Sequence, residues 1–435
     1  MKAGITPRLL KGFRDFLPKE EIRKGEIITE LERIFRLFGF VPIDTPILEY
    51  TDILLGKGGG ETDKQVYRFL DHGKRDVSMR YDLTVPFARF MAMHRNELYL
   101  PFRRYHIAKV FRGENTQRGR YREFTQCDFD IVGSDSISAD FEILFLMFTS
   151  LKSIGLDRFK IHISDRNLFN MLLDKLEIKD HSVEILRIVD KIKKIGPDKV
   201  KALLGEITDE WKTDSIMEFI TPRGDFYDSI KIIKKSAGFP DSSITRLEEV
   251  WKIIEALDIS SSFAFDPSIT RGLDYYTGIV FETYLEDIPS IGSVCSGGRY
   301  NNLAALYTKN NIPGVGSSIG LDRLLAAFNK LALEAKTLTV PQVIILNMDN
   351  SLLSYYHRLA VRLREENISV EIYPDKKKLA QQFLYAEKKN IPFALICGDE
   401  EKSQGVVAIK NLKTRKSYPA VRADTVQDML KELLL

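Results

Sequence analysis

From Glu20 to Phe38, the apolar residues Ile27, Ile28, Leu31, Ile34, Phe35 and Phe38 recur at helical spacing with charges between them. This pattern predicts a helix that Gly39 closes. Phe40 to Glu49 reads as extended. Its Pro42 and Pro46 cannot donate to a ladder, which predicts a sheet edge or a chain-to-chain contact. Val66–Leu70 and Val77–Arg80 read as a hairpin around His72-Gly73, and Leu83–His94 as a helix. Arg104–Phe111 and Phe124–Val132 read as two strands joined by a polar, basic loop. A helix over Ala139–Ile154 and a short strand over Phe159–Ser164 follow.

From about Asp165 to Ala256 the pattern is lysine, leucine, isoleucine and glutamate at helical spacing, broken near Gly196-Pro197, Pro222-Arg-Gly224 and Gly238-Phe-Pro240. This predicts a helical insertion. Strand-like segments resume at Ser262 and run to Tyr284, then Ser293–Cys295, and Gly316–Phe328 reads as a glycine-led strand followed by a helix. Beyond Pro341, strands and helices alternate regularly to the last helix from Thr425, which predicts an independent α/β domain of roughly 100 residues. The expected units are therefore 1–164 with 257–332, an insertion at 165–256, and a C-terminal domain at 337–435.

Bulk composition narrows the function little. The chain has 435 residues and a net charge of +3, so a nucleic-acid partner would need a local patch rather than a global field. Cys127, Cys295 and Cys397 are far apart, which argues against a zinc site or a disulfide framework and fits a reducing compartment. Met1–Pro18 has no apolar core of a secretory signal, and no apolar window reaches about 18 residues, so a cytoplasmic protein with no membrane span is expected.

Three segments carry the candidate chemistry. Arg271-Gly-Leu-Asp-Tyr-Tyr-Thr-Gly278 places a cation, a carboxylate and two phenols between glycines, suited to a strand edge lining a polar pocket; a plain polar strand with a turn is the alternative. Phe111-Arg112-Gly113-Glu114 leads through a loop to Arg120-Tyr-Arg-Glu-Phe124, Gln126 and Asp130. There Arg112 offers a forked contact to phosphate, and Phe124 a flat face for a purine. Strand alternation points Gln126, Asp128 and Asp130 the same way. Gly316-Ser-Ser-Ile-Gly-Leu-Asp-Arg323 brings an arginine to a helix start. Gly58-Gly-Gly60 lacks the lysine and spacing of a phosphate-binding loop.

In this order and at these intervals, the three segments resemble class II aminoacyl-tRNA synthetases, and in detail the histidyl-tRNA synthetase family. Lys11–Pro18 is similar to the family's opening, Gly39–Glu49 to its motif 1, Phe111–Phe124 to motif 2 and Gly316–Arg323 to motif 3. Arg271–Gly278 resembles the histidine-specific segment, and Ser296-Gly-Gly-Arg-Tyr300 its companion. Aspartate at 82 and 130 stands where the familiar bacterial pattern has glutamate, as in the family's eukaryote-like branch.

The resemblance implies an α+β catalytic domain with a central antiparallel sheet, a helical insertion, an anticodon-binding α/β domain and a homodimer across motif 1. It implies activation of L-histidine by ATP with Mg2+, then transfer to the 3' end of tRNA(His). A histidine-binding regulatory paralogue without ligase activity is the alternative. Arg112 and Arg271 would be catalytic. Histidine would meet Asp82, Thr84, Arg112, Gln126, Asp130, Arg271, Tyr275 and Tyr276. ATP would meet Arg112, Glu114, Phe124 and Arg323, with Glu114 as a metal ligand. Arg118, Arg120 and Arg122 would face the acceptor stem.

Overall fold

The structure, a computed structural model, describes residues 5–56, 61–117, 119–221, 224–269, 276–301, 307, 312–333 and 339–434. It divides into two compact units: Met1–Asp15 with Ile27–Leu333, and Phe16–Glu26 with Glu334–Leu435.

The first unit is built on an eight-stranded sheet of β1 (Val41–Pro42), β5 (Phe102–Phe111), β6 (Glu123–Val132), β7 (Phe159–Asp165), β8 (Phe263–Phe265), β9 (Ile279–Leu285), β10 (Cys295–Arg299) and β11 (Gly314–Gly320). Their spatial order is β1-β5-β6-β11-β10-β9-β7-β8. Pairing is antiparallel from β5 through β7 and parallel at both edges, so the sheet is mixed, with an antiparallel middle. The long β5–β6 ribbon sets the frame, in register from Phe102↔Val132 to Phe111↔Glu123.

Side chains alternate faces along β6. Phe129 lies 5.1 Å from the ring of Phe35, on the helix Pro18–Leu37. Burial of such a side chain stabilises the fold by about 1.5–3 kcal/mol. Packing of this face against that helix leaves Gln126, Asp128 and Asp130 to the opposite face. The apolar run Ile143–Phe148 lies in the helix Ile137–Ser153, with Ile143, Leu144, Leu146 and Met147 buried.

The extended segment Phe40–Glu49 splits in two. Val41–Pro42 is an edge strand, where proline's missing N–H leaves no ladder partner unmet. β2 (Leu48–Tyr50) joins a separate sheet, ordered β2-β4-β3, with β3 (Arg68–Leu70) and β4 (Asp76–Met79). Arg80 stitches the break, its Nη1 donating to the Thr45 carbonyl at 2.6 Å.

Helices dominate from Arg166 to Ala256. Asp165 caps the first of them by accepting from the Asn167 N–H at 2.8 Å. Phe226 stacks on Trp251 at 4.3 Å and 4°.

The second unit holds β12 (Val343–Ile345), β13 (Val370–Ile372), β14 (Phe393–Ile396), β15 (Val406–Asn411) and β16 (Ser417–Arg422), in the order β13-β12-β14-β15-β16. Every residue of β12 is buried, because Val343 and Ile345 face one apolar cluster and Ile344 another. A short helix, Asp399–Ser403, adds to the expected alternation.

Candidate active site

The pocket-facing side of the large sheet floors a cavity of about 680 Å³. Its depth comes from glycine. Gly316 pairs with Asp130, and a Cβ on it would stand 1.8 Å from Asp130 Oδ1; one on Gly297 would stand 2.0 Å from the Gly316 carbonyl oxygen. The β10–β11 floor therefore lies flat beneath a carboxylate that no other residue would accommodate.

One end is acidic. Asp82, Asp128 and Asp130 are all buried there. Asp82 accepts from the Val85 N–H at 2.9 Å at the start of the helix Thr84–Met93, which also sets Thr84 on the rim. Gln126 Nε2 donates to Ser318 Oγ at 2.8 Å. Tyr300 donates its hydroxyl to Asp130 Oδ1 at 2.5 Å. Arg104, fully buried opposite Asp130 in the β5–β6 register, brings a guanidinium nitrogen to 2.6 Å from Oδ2. Hydrogen-bond alignment is lacking there, so the contact is an ion pair.

Burial raises the pKa of all three carboxyls, and Arg104 opposes the rise. Asp128 is pushed up to about 7, with Asp130 adding like-charge repulsion. Arg104 opposes the rise at all three carboxyls, and Arg112 opposes it more strongly than Arg104 at Asp82.

The other end is basic. Arg112 donates from Nε to the Tyr81 carbonyl at 3.0 Å, and its guanidinium lies 4.3 Å over the Tyr81 ring and 5.1 Å over Phe124. Arg323 sits in the first turn of the helix Leu321–Lys330 and donates to the Ser293 carbonyl. Neighbouring Asp322 pins that turn, accepting from Arg14 at 2.7 Å and from the Thr125 N–H at 2.7 Å. Burial lowers the Arg323 pKa to about 10, with Arg120 and Arg112 repelling it and Glu114 and Glu282 holding it up. Glu114 stands 3.7 Å from Arg120.

Of the residues expected from sequence, Asp82, Thr84, Arg112, Glu114, Phe124, Gln126, Asp130, Tyr276 and Arg323 line this single cavity. Arg271 and Tyr275 lie outside the described residues, as do Arg118 and Gly58–Gly60. Sequence reasoning gave no role to Arg104, Asp128 or Tyr300, nor to Glu282, which accepts from the Tyr284 hydroxyl on β9. Strand alternation singles out Asp128, and Tyr300 closes a quoted motif. Arg104 shows only through the β5–β6 register.

The described cavity residues include neither histidine nor cysteine, so they offer no Ser–His or Cys–His nucleophile pair. His106 contacts Asp44 at 2.9 Å, and burial, with Arg104 and Arg80 nearby, lowers its pKa. Arg122, offered above for an acceptor stem, turns inward to the Glu114 carbonyl at 3.2 Å. The cavity is bipolar, built to hold a cationic group at one end and a polyanion at the other, and to work by fixed charge.

A family model described as Histidyl-tRNA synthetase matches residues 12–324, and one described as Anticodon binding domain matches residues 342–433. A histidine–tRNA ligase of Treponema denticola is 51% identical over 397 residues, covering 90% of this chain and 89% of that protein. The crystal structure of a histidyl-tRNA synthetase from Nostoc sp. PCC 7120 superposes with a TM-score of 0.88 at 29% identity, over 99% of this chain and 100% of that one. A structure described as an ATP phosphoribosyltransferase regulatory subunit/histidyl-tRNA synthetase from Bacillus halodurans C shares the fold, with a TM-score of 0.74 at 24% identity over 87% of this chain and 96% of that one.

Proposed function

The chain belongs to the histidyl-tRNA synthetase family, and from that footing we propose how its cavity carries out the ligase reaction. L-Histidine and ATP form histidyl-adenylate and pyrophosphate, and the histidyl group then passes to the 3' end of tRNA(His). The bipolar cavity carries this reading. The histidine ammonium and imidazole go to the acidic end, toward Asp82, Thr84, Gln126 and Asp130, with Tyr276 on the wall. The triphosphate goes to Arg112 and Arg323, and the adenine to the face of Phe124.

In the first step, a bond forms between a histidine carboxylate oxygen and the α-phosphorus. The bond to the bridging oxygen breaks, and pyrophosphate leaves with the electron pair. Arg112 supports both the carboxylate and the α-phosphate; Arg271, which lies outside the described residues, is the second cation proposed for this step. Charge fixed in advance is worth about 10²–10³ in rate per donor.

Mg²⁺ would enter with ATP. Among the described residues no group of three or more His, Cys, Asp or Glu could hold a metal ion unaided. Glu114 and Glu282 suit an ion held mainly by phosphate oxygens, for which one or two protein carboxylates suffice.

The intact phosphate-facing arginines and the anticodon-binding module at 342–433 favour the ligase over a regulatory paralogue. We assign 1–164 with 257–332 to catalysis, 165–256 to the insertion and 337–435 to anticodon binding. Exposed Val41, Ile47, Leu48, Tyr50, Phe69 and Leu70 around motif 1 support a homodimer through that face. No helix among the described residues is long and apolar enough to cross a membrane. Cys127, Cys295 and Cys397 are buried and form no disulfide among the described residues, which suits the cytoplasm. The test is charging of a tRNA(His) transcript with labelled histidine: acid-stable incorporation is expected, and none would refute the reading.

A further inference from the structure

The helical insertion reaches the catalytic cavity. Asp190, Lys191 and Lys194, from the end of the helix Ser182–Val189 and the turn after it, line the wall. Lys193, between the two lysines, is held elsewhere. Its Nζ lies 2.8 Å from Asp266 Oδ2 and 4.2 Å over the Tyr284 ring. Asp266 is a buried socket that also takes His162 Nδ1 at 3.0 Å and the Ser268 N–H at 3.1 Å. The His162 ring meets Tyr284 edge-on at 5.3 Å. This anchorage holds the short helix Ile192–Ile195 against β9. Positions 191 and 194 are three apart, so they share a helical face.

Lys191 and Lys194 are exposed, and among the described residues neither has a carboxylate partner. The nearest acid in the chain, Asp190, lies toward Tyr284, whose pKa it helps to raise. The path along the wall runs from Tyr284 to Glu282, the carboxylate that helps keep Arg323 protonated. Across the sheet Asp130 aligns with Gly316, Gly298 and Val280, four positions along β9 from Tyr284, so the lysines stand away from Asp130, where a polyanion and not an amino acid would meet them.

We propose that Lys191 and Lys194 bind the terminal phosphates of ATP and the departing pyrophosphate, with Lys193 as the residue that positions them through Asp266. This rests on the ligase reading. The insertion then completes the phosphate end of the cavity. A second source of the same chemistry is the phosphate backbone at the tRNA 3' end, and the test separates the two.

In the full chain, Lys191→Ala with Lys194→Ala should raise the pyrophosphate KM in histidine-dependent ATP–pyrophosphate exchange by roughly tenfold or more, the size of a lost charged contact. The histidine KM should stay within about twofold, an effect too small to signal a lost contact. Single-turnover transfer from enzyme-bound histidyl-adenylate to tRNA should keep its rate. Lys191→Arg with Lys194→Arg should restore the pyrophosphate KM. Lys193→Met should raise it in the same direction, while any purely structural role would move the histidine KM equally. An unchanged pyrophosphate KM in the double alanine variant would overturn the proposal, as would slowed transfer with exchange intact, which would hand the lysines to tRNA. An active wild type with an unaltered double variant refutes this inference alone. A wild type silent in exchange refutes the ligase reading, and this inference with it.

Discussion

Gly316→Ala places a methyl group where the cavity has no room. Its Cβ would lie 1.8 Å from Asp130 Oδ1 and 2.9 Å from the Phe129 carbonyl oxygen. Ordinary contact begins near 3.4 Å, so the carboxylate would have to retreat by about 1.6 Å. Tyr300 at 2.5 Å and Arg104 at 2.6 Å hold both of its oxygens, and Asp130 is buried. Overpacking of this kind costs about 1–3 kcal/mol of stability. Displacing a carboxylate aimed at a cationic ligand costs a charged hydrogen bond, about 1.5–3 kcal/mol, or roughly 10- to 100-fold in histidine KM. The ATP KM, set at the other end, should change by less than about threefold. Steady-state exchange kinetics measures both constants, and a thermal melt shows whether the variant folds. Gly205→Ala is the control: nothing lies within 4 Å of its Cβ position, and it ends the helix Pro197–Gly205, so stability should hold or rise by a few tenths of a kcal/mol. A Gly316→Ala enzyme with wild-type histidine KM would refute the fixed-carboxylate argument.

Three further outcomes follow from the acidic end and its surroundings. Burial raises the Asp128 pKa to about 7, and a cationic ligand favours its ionised form, so histidine affinity should fall as pH drops through 7. Between pH 8 and pH 6, the wild-type histidine KM should rise about tenfold more than that of Asp128→Asn, a comparison that cancels the titration of the substrate's own ring; identical profiles would remove Asp128 from the site. Tyr300→Phe deletes the 2.5 Å bond to Asp130 and should raise the histidine KM by roughly five- to tenfold, leaving the ATP KM alone in the same exchange assay. Glu282→Gln weakens the carboxylate support of Arg323 and should raise the ATP KM with little effect on histidine, read by exchange at fixed saturating histidine.

Much of the frame shows in local pattern. The Pro18–Leu37 helix, the β5–β6 ribbon and the glycine-led β11 leading into its helix each have a period or a punctuating glycine that short-range sterics enforce. Alternation along β6 alone puts Gln126, Asp128 and Asp130 on one face. What escaped depends on distant chain returning. Arg104 meets Asp130 only because ten consecutive β5–β6 pairs keep their register, and Tyr300 arrives from 170 residues away. Lys191 and Lys194 look like a solvated charge run until the Lys193–Asp266 contact sets them at the cavity wall. The split at Phe40–Glu49 likewise follows from Arg80 bonding across it, which no local period announces.

The central claim is that one cavity reads a cationic amino acid at its acidic end while fixed guanidinium groups hold a triphosphate at the other. ATP–pyrophosphate exchange, run on the full chain with each of the standard amino acids in turn, measures this most directly. The account predicts exchange with L-histidine alone. Silence with histidine, or equal exchange with an amino acid lacking the imidazole, would contradict it.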